Sequence, residues 1–188
     1  MSLLDRILEQ DKELFIYLNG LGTPQWDHFW LLVTDKINWI PLYIILLYVL
    51  FKKFGFKRTL FILLLIGVLV FFTDQSVNLI KYATHRLRPN HEPQLDGIIR
   101  VVKNTGGYSF VSGHATNAFA VSTFFIYLLQ RYSQFIYLIL IWPFLFLYSR
   151  IYLGVHYPLD VLTGMLLGVI IGRSFYFLYQ KFFLTPNV

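Results

Sequence analysis

The sequence contains no cysteine, little charge and no uninterrupted apolar run at its start. The missing cysteines exclude disulfides and thiolate metal sites, and leave the compartment open. Charged residues are 14% of the 188, against 56% hydrophobic and 19% aromatic residues. So small a polar share cannot wrap a soluble core of this size. The composition predicts an integral membrane protein with a single domain over 1–188. At the N-terminus, Leu3, Leu4, Ile7, Leu8, Leu14, Phe15 and Leu18 are broken up by Asp5, Arg6, Glu9, Asp11, Lys12 and Glu13. That pattern excludes a cleavable signal peptide. It predicts an amphipathic helix at the membrane interface, with a poorly ordered polar lead-in as the alternative. There is no internal repeat and no low-complexity tract.

Five apolar segments remain, and they predict an all-α bundle of about five transmembrane helices. They run near 37–51 (with 26–33 as a short approach helix), 59–81, 115–130, 135–152 and 159–183. The net charge of +6 comes from cations lying between these segments, not along one polar face. This favours anionic lipid or phosphate over nucleic acid as the partner. Lys52, Lys53, Lys57 and Arg58 mark the first connection as cytoplasmic. Lys81, Arg86, Arg88, Arg100 and Lys103 then fall on the opposite side, and an exported cationic cluster needs a reason. A negatively charged substrate supplies one.

Alternating helix direction gathers four polar segment ends on that side: Lys81 with Arg88-Pro89, Ser112-Gly113-His114, Ser149-Arg150, and His156 through Asp160. Lys81, Arg88 and Arg150 suit a phosphate, the arginines through planar forks of donors. Gly113 opens a helix, where free N–H groups and the dipole attract anions, and Ser112 adds a hydroxyl. His156 and Asp160 are four apart, with Pro158 suited to a first helical turn. Asp160 can hold Nδ1–H of His156 and leave Nε2 as a nucleophile. His114, on another element, can protonate a leaving oxygen. No carboxylate cluster with divalent-metal spacing accompanies these motifs.

The constellation resembles the type 2 phosphatidic acid phosphatase superfamily of membrane lipid phosphatases. Lys-x6-Arg-Pro appears as Lys81 to Arg88-Pro89. Pro-Ser-Gly-His appears as Val111-Ser112-Gly113-His114. Ser-Arg-x5-His-x3-Asp appears as Ser149-Arg150, His156 and Asp160. The motifs occur in family order; Val111 replaces a proline, a change expected to alter loop stiffness and not reaction type. The resemblance implies His156 as nucleophile, His114 as acid and Asp160 as orienter. It also implies Lys81, Arg88, Ser112, Gly113 and Arg150 as phosphate contacts, with no metal and no cofactor. Its active site lies at the outer face of the cytoplasmic membrane. The implied partner is a phosphorylated membrane lipid: phosphatidylglycerophosphate, undecaprenyl pyrophosphate, lipid A or phosphatidic acid. The alternatives are a lipid phosphotransferase sharing the first half-reaction and a non-catalytic protein binding phosphorylated lipid. His28, His85 and His91 read as interfacial residues. Asp74, Gln75 and Asn78 read as bonds between helices, with steadying of Lys81 left open for Asp74. Arg86, Arg100 and Lys103 read as solvated or headgroup-binding, outside the site.

Overall fold

The structure is a computed structural model and describes residues 2–183. It is all-α: α1 (Leu3–Gly20), α2 (Pro24–Thr34), α3 (Ile40–Thr84), α4 (Gly113–Leu129), α5 (Ile141–Tyr152) and α6 (Pro158–Phe183). Among the described residues, three stretches are long and apolar enough to cross a membrane: Lys36–Leu95, Gln134–Tyr152 and Pro158–Phe183. The first and second apolar segments are joined in α3. They are separated only by Gly55, whose φ of 71° and ψ of 176° break the helix between 40–54 and 56–84. A left-handed φ costs glycine little and other residues more, which is why the reversal sits there. The segment expected over 135–152 is not uniformly α-helical. It starts as a 3-10 helix, Gln134–Leu140, before α5 begins.

The N-terminal helix docks on the bundle. Ser2 and Asp5 close a capping box at its start, and each satisfies a free N–H of the first turn. Its buried stripe is Asp11, Phe15 and Asn19, at a spacing of four, while Leu3, Leu4 and Leu14 point outward. Phe15 packs edge-on against Tyr157 at 5.4 Å. The Asn19 amide donates to the carbonyls of Ile151 and Tyr152, both at 3.1 Å, and to that of Arg100 at 3.0 Å. Its Oδ1 accepts from Arg100 N at 2.8 Å. An amide so fully satisfied in a buried position fixes α1 against the end of α5.

Helices α4 and α6 make the closest pairing. Gly164, Gly168 and Gly172 form a stripe along α6, facing α4. A Cβ on Gly164 would lie 2.8 Å from the carbonyl oxygen of Ser112, and on Gly168 or Gly172 it would collide with the carbonyls of Thr116 or Ala120. Within a bilayer, lipid is as apolar as leucine, so helices associate through close backbone packing where side chains are small. The stripe therefore seats the first turn of α4 directly against the first turn of α6.

Candidate active site

The two first turns that the glycine stripe brings together carry the chemistry. Ser112 caps α4, its side chain accepting from Ala115 N and its carbonyl from Thr116 N. Its own N–H donates to the Asp160 carbonyl at 3.0 Å, tying the two helix starts together. Pro158 opens α6, where a missing N–H costs nothing. His156 sits just before it, after a turn through Gly154 at φ 79°. A Cβ there would meet the Arg100 carbonyl at 2.6 Å.

A cavity of about 560 Å³ opens between α3, α4 and α5. Lys81, Arg88, Gly113, His114, Arg150 and His156 line one part of it. Apolar residues from Leu46 and Leu50 to Val70, Val121 and Phe125 line the rest. Six of the eight residues singled out in the sequence thus face one space. The other two stand behind it: Ser112 as the cap just described, and Asp160, fully buried, against His156.

His156 is 1% exposed. Its Nδ1 lies 3.4 Å from Asp160 Oδ2, and its Nε2 lies 3.0 Å from Nη1 of Arg88. A guanidinium only donates, so Nε2 carries the lone pair and Nδ1 the proton. Burial pushes the His156 pKa down to about 3, and Arg88 and Arg150 push the same way, while the bond to Asp160 opposes them. The ring is therefore held neutral.

Arg150 is 3% exposed, and its Nη1 donates to the Thr34 hydroxyl at the end of α2. Its Nε is buried without a hydrogen-bond partner among the described residues. Lys81 donates to the carbonyls of Tyr108 and, at 3.3 Å, Ser109. Arg88 also donates to the carbonyls of Val155 and Gly107. None of these three cations has a carboxylate within ion-pair distance among the described residues. Positive charge drawn wholly (Arg150) or partly (Lys81 and Arg88) out of water without a counterion is what an anion site requires. The ring of His114 stacks on Phe146 at 5.9 Å, on the cavity wall.

Two residues join the site that the sequence reading leaves outside it, Arg86 and Ser109. Arg86, set outside the site, donates to Asp160 Oδ1 at 2.7 Å and to Asp11 Oδ2 at 2.6 Å. It lies two residues before Arg88, and only the fold reveals its partners. Asp74 accepts from the Asn117 amide of α4 at 2.6 Å, the bond between helices expected of it, and makes no ion pair with Lys81 among the described residues. Ser109, not singled out at all, donates to Asp160 Oδ2 and lies 3.4 Å from His156 Nδ1. Arg100 does stay apart, paired with Asp27 at 2.8 Å. Val111, in the place of the motif proline, is fully buried.

The profile of the PAP2 superfamily matches residues 58–184. The chain is 34% identical over 183 residues to the lipid A 4'-phosphatase of Bacteroides thetaiotaomicron, covering 95% of this chain and 81% of that protein. It is also 34% identical over 181 residues to the lipid A 4'-phosphatase of Porphyromonas gingivalis, covering 94% and 75%. The crystal structure of a transmembrane PAP2-type phosphatidylglycerolphosphate phosphatase from Bacillus subtilis superposes with a TM-score of 0.72. That match covers 94% of this chain and 87% of the other at 22% identity, and speaks for the fold alone. LpxE of Aquifex aeolicus superposes with a TM-score of 0.66 at 26% identity, covering 87% and 92%. With the profile, the sequence relatives and the fold in agreement, this chain belongs to the PAP2 superfamily of membrane lipid phosphatases.

Proposed function

We propose that the chain is a single membrane-embedded domain that removes phosphate from a lipid through a phosphohistidine on His156. The observation that carries this reading is the lone pair on His156 Nε2, aimed at a cavity with three cations and a second histidine and held in the resting site by one of those cations, Arg88. Nε2 attacks phosphorus and the bond from phosphorus to the lipid oxygen breaks, with His114 giving that oxygen its proton. A water then attacks the phosphohistidine, His114 takes its proton back from that water, and phosphate departs. Lys81, Arg88, Arg150 and the α4 N-terminus at Ser112-Gly113 stabilise charge on the equatorial oxygens throughout. Asp160 keeps the His156 proton on Nδ1.

For the substrate, the two relatives that align along most of the chain favour lipid A carrying a 4'-phosphate. Asp74, Asn78 and Asn117 support that choice. They form a polar shelf in the otherwise apolar crevice, one to two helical turns from Lys81 and Gly113. Sugar hydroxyls and amide-linked chains hydrogen-bond to such a shelf; a polyprenyl chain does not.

The chain crosses the membrane five times in this reading. The two arms of α3 and helices α4, α5 and α6 are the crossings, and α1 and α2 stay at the outer surface. Lys52, Lys53, Lys57 and Arg58 then face the cytoplasm, and the site faces the periplasm or cell exterior. Phosphate release from lipid A, phosphatidylglycerophosphate, undecaprenyl pyrophosphate and phosphatidic acid, measured side by side on purified protein, tests the substrate assignment. A rate on lipid A no greater than on the others would refute it.

A further inference from the structure

The ion pairs around Asp160 extend past the family's motifs and into the N-terminal helix. Asp160 has a fully buried side chain. Its Oδ2 accepts from Ser109 and from Tyr157 N at 2.9 Å, and faces His156 Nδ1 at 3.4 Å. Its Oδ1 takes a charged donor, Arg86, at 2.7 Å. The guanidinium lies 4.1 Å from the Tyr157 ring centroid. Its other nitrogen donates to Asp11 of α1 at 2.6 Å. Asp11 in turn accepts from Leu159 N, in the first turn of α6, at 2.8 Å. Asp11 stands well before residue 58, where the superfamily match begins.

We infer that Arg86, held in place by Asp11, is a positioning residue that keeps Asp160 ionised and so keeps His156 in its attacking tautomer. A buried carboxylate stripped of its cation takes up a proton. Protonated, Asp160 no longer requires a proton on Nδ1, and Nε2 loses its claim to the lone pair. The other charged or titratable groups around Asp160 are His156 and Tyr157 on its own segment, Lys81 and Arg88 toward the cavity, and Asp11 beyond Arg86. Lys81 and Arg88 are engaged by phosphate once substrate binds, whereas Arg86 does not line the cavity. Arg86 is thus the cation that stays with Asp160 through the whole cycle. A brace between α1 and the rest of the fold does not need it, because Asn19 and the Leu159–Asp11 bond already make that link.

The inference rests on His156 as the nucleophile, and the test separates the two. With purified full-length protein and a soluble aryl phosphate, Arg86→Gln is expected to lower kcat by about 10- to 100-fold, typical of an outer partner of a reacting group. KM is expected to stay within about twofold, and the acid limb of the kcat/KM profile to rise by about one pH unit. Arg86→Lys keeps a cation and is expected to leave the limb near its original place. Asp11→Asn leaves Arg86 charged, so kcat falls by a smaller factor while the limb does not rise. A raised KM with unchanged kcat in Arg86→Gln would make Arg86 a substrate contact and overturn the inference. So would an unmoved acid limb in a folded Arg86→Gln protein. Should Arg86→Gln fail to fold, Asp11→Asn and Arg86→Lys decide alone: a limb that rises in both, or a change confined to KM, overturns it. Retained turnover in His156→Ala removes the nucleophile itself, a failure distinct from any displacement of the limb.

Discussion

Nη1 of Arg88 stands 3.0 Å from Nε2 of His156, so a cation occupies the nitrogen that must attack phosphorus. The resting site is closed by its own arginine. On the proposed mechanism, an arriving phosphate is expected to draw the guanidinium away and bare the lone pair in the same motion. Binding and activation of the nucleophile are then one event.

The pH dependence follows chiefly from the burial of the same ring, with Arg88 and Arg150 adding to it. A histidine held near 3 remains neutral where an ordinary one, near 6.5, charges. The sign is that of a depressed pKa. The stability that neutral His156 contributes is complete above about 6.5 and is lost as the pH falls toward about 3. The acid limb of kcat/KM is therefore expected below pH 6.5. A limb at or above that value in free enzyme would show that His156 is not held neutral.

His114 is expected to matter in proportion to the basicity of the leaving oxygen. In His114→Ala, lipid phosphate hydrolysis should fall by about 100-fold or more, and p-nitrophenyl phosphate hydrolysis by markedly less. Comparison of the two kcat values checks this. Equal losses would assign His114 to phosphate positioning and not to proton transfer.

With Lys81, Arg88 and Arg150 supplying positive charge, hydrolysis is expected to persist in excess chelator. Vanadate, which adopts the trigonal-bipyramidal shape of the transferring group, should compete with substrate and raise the melting temperature. Loss of the vanadate effect in Arg150→Met, with the protein still folded, would locate the anion at the buried guanidinium. Vanadate protection that survives that substitution would place the anion elsewhere.

The crevice shelf is separable from the chemistry. Asn117→Leu and Asp74→Leu are expected to raise KM for lipid A by about tenfold, in line with one or two lost hydrogen bonds. Turnover of p-nitrophenyl phosphate should hold steady. Matching losses on both substrates would take the shelf out of headgroup recognition.

Legibility in the sequence follows the range of each interaction. The pairing of His156 with Asp160 is visible because four residues make one helical turn, and Lys81 with Arg88 because a motif spacing preserves it. Alternating helix direction was enough to bring His114 and Arg150 to the same side. Arg86 was missed because its partners, Asp11 and Asp160, are 75 and 74 positions away. A lone arginine among cations carries no mark of such distant company. Ser109 was missed for a similar reason: a loop serine looks like any other until the loop is folded. Asp74 was legible as a bond between helices, because a polar side chain in an apolar segment must find protein, but its partner Asn117, 43 positions on, was not. In the N-terminal helix, the apolar pattern spoke for a helix at the interface, but the residues that dock it on protein, Asp11, Phe15 and Asn19, are mostly polar and carried no such mark. In a bilayer the apolar side has lipid to face, and the polar side must find protein.

The glycines of α6 press main chain against main chain, so a methyl group at Gly168 should cost about 1–3 kcal/mol. It should also spread the two helix starts apart. The distance between the two histidines is thereby set by atoms that every residue type shares. Amino-acid exchange in the crevice leaves that distance alone. Headgroup contacts in the crevice are thereby mechanically separate from the backbone packing that holds the two helix starts together.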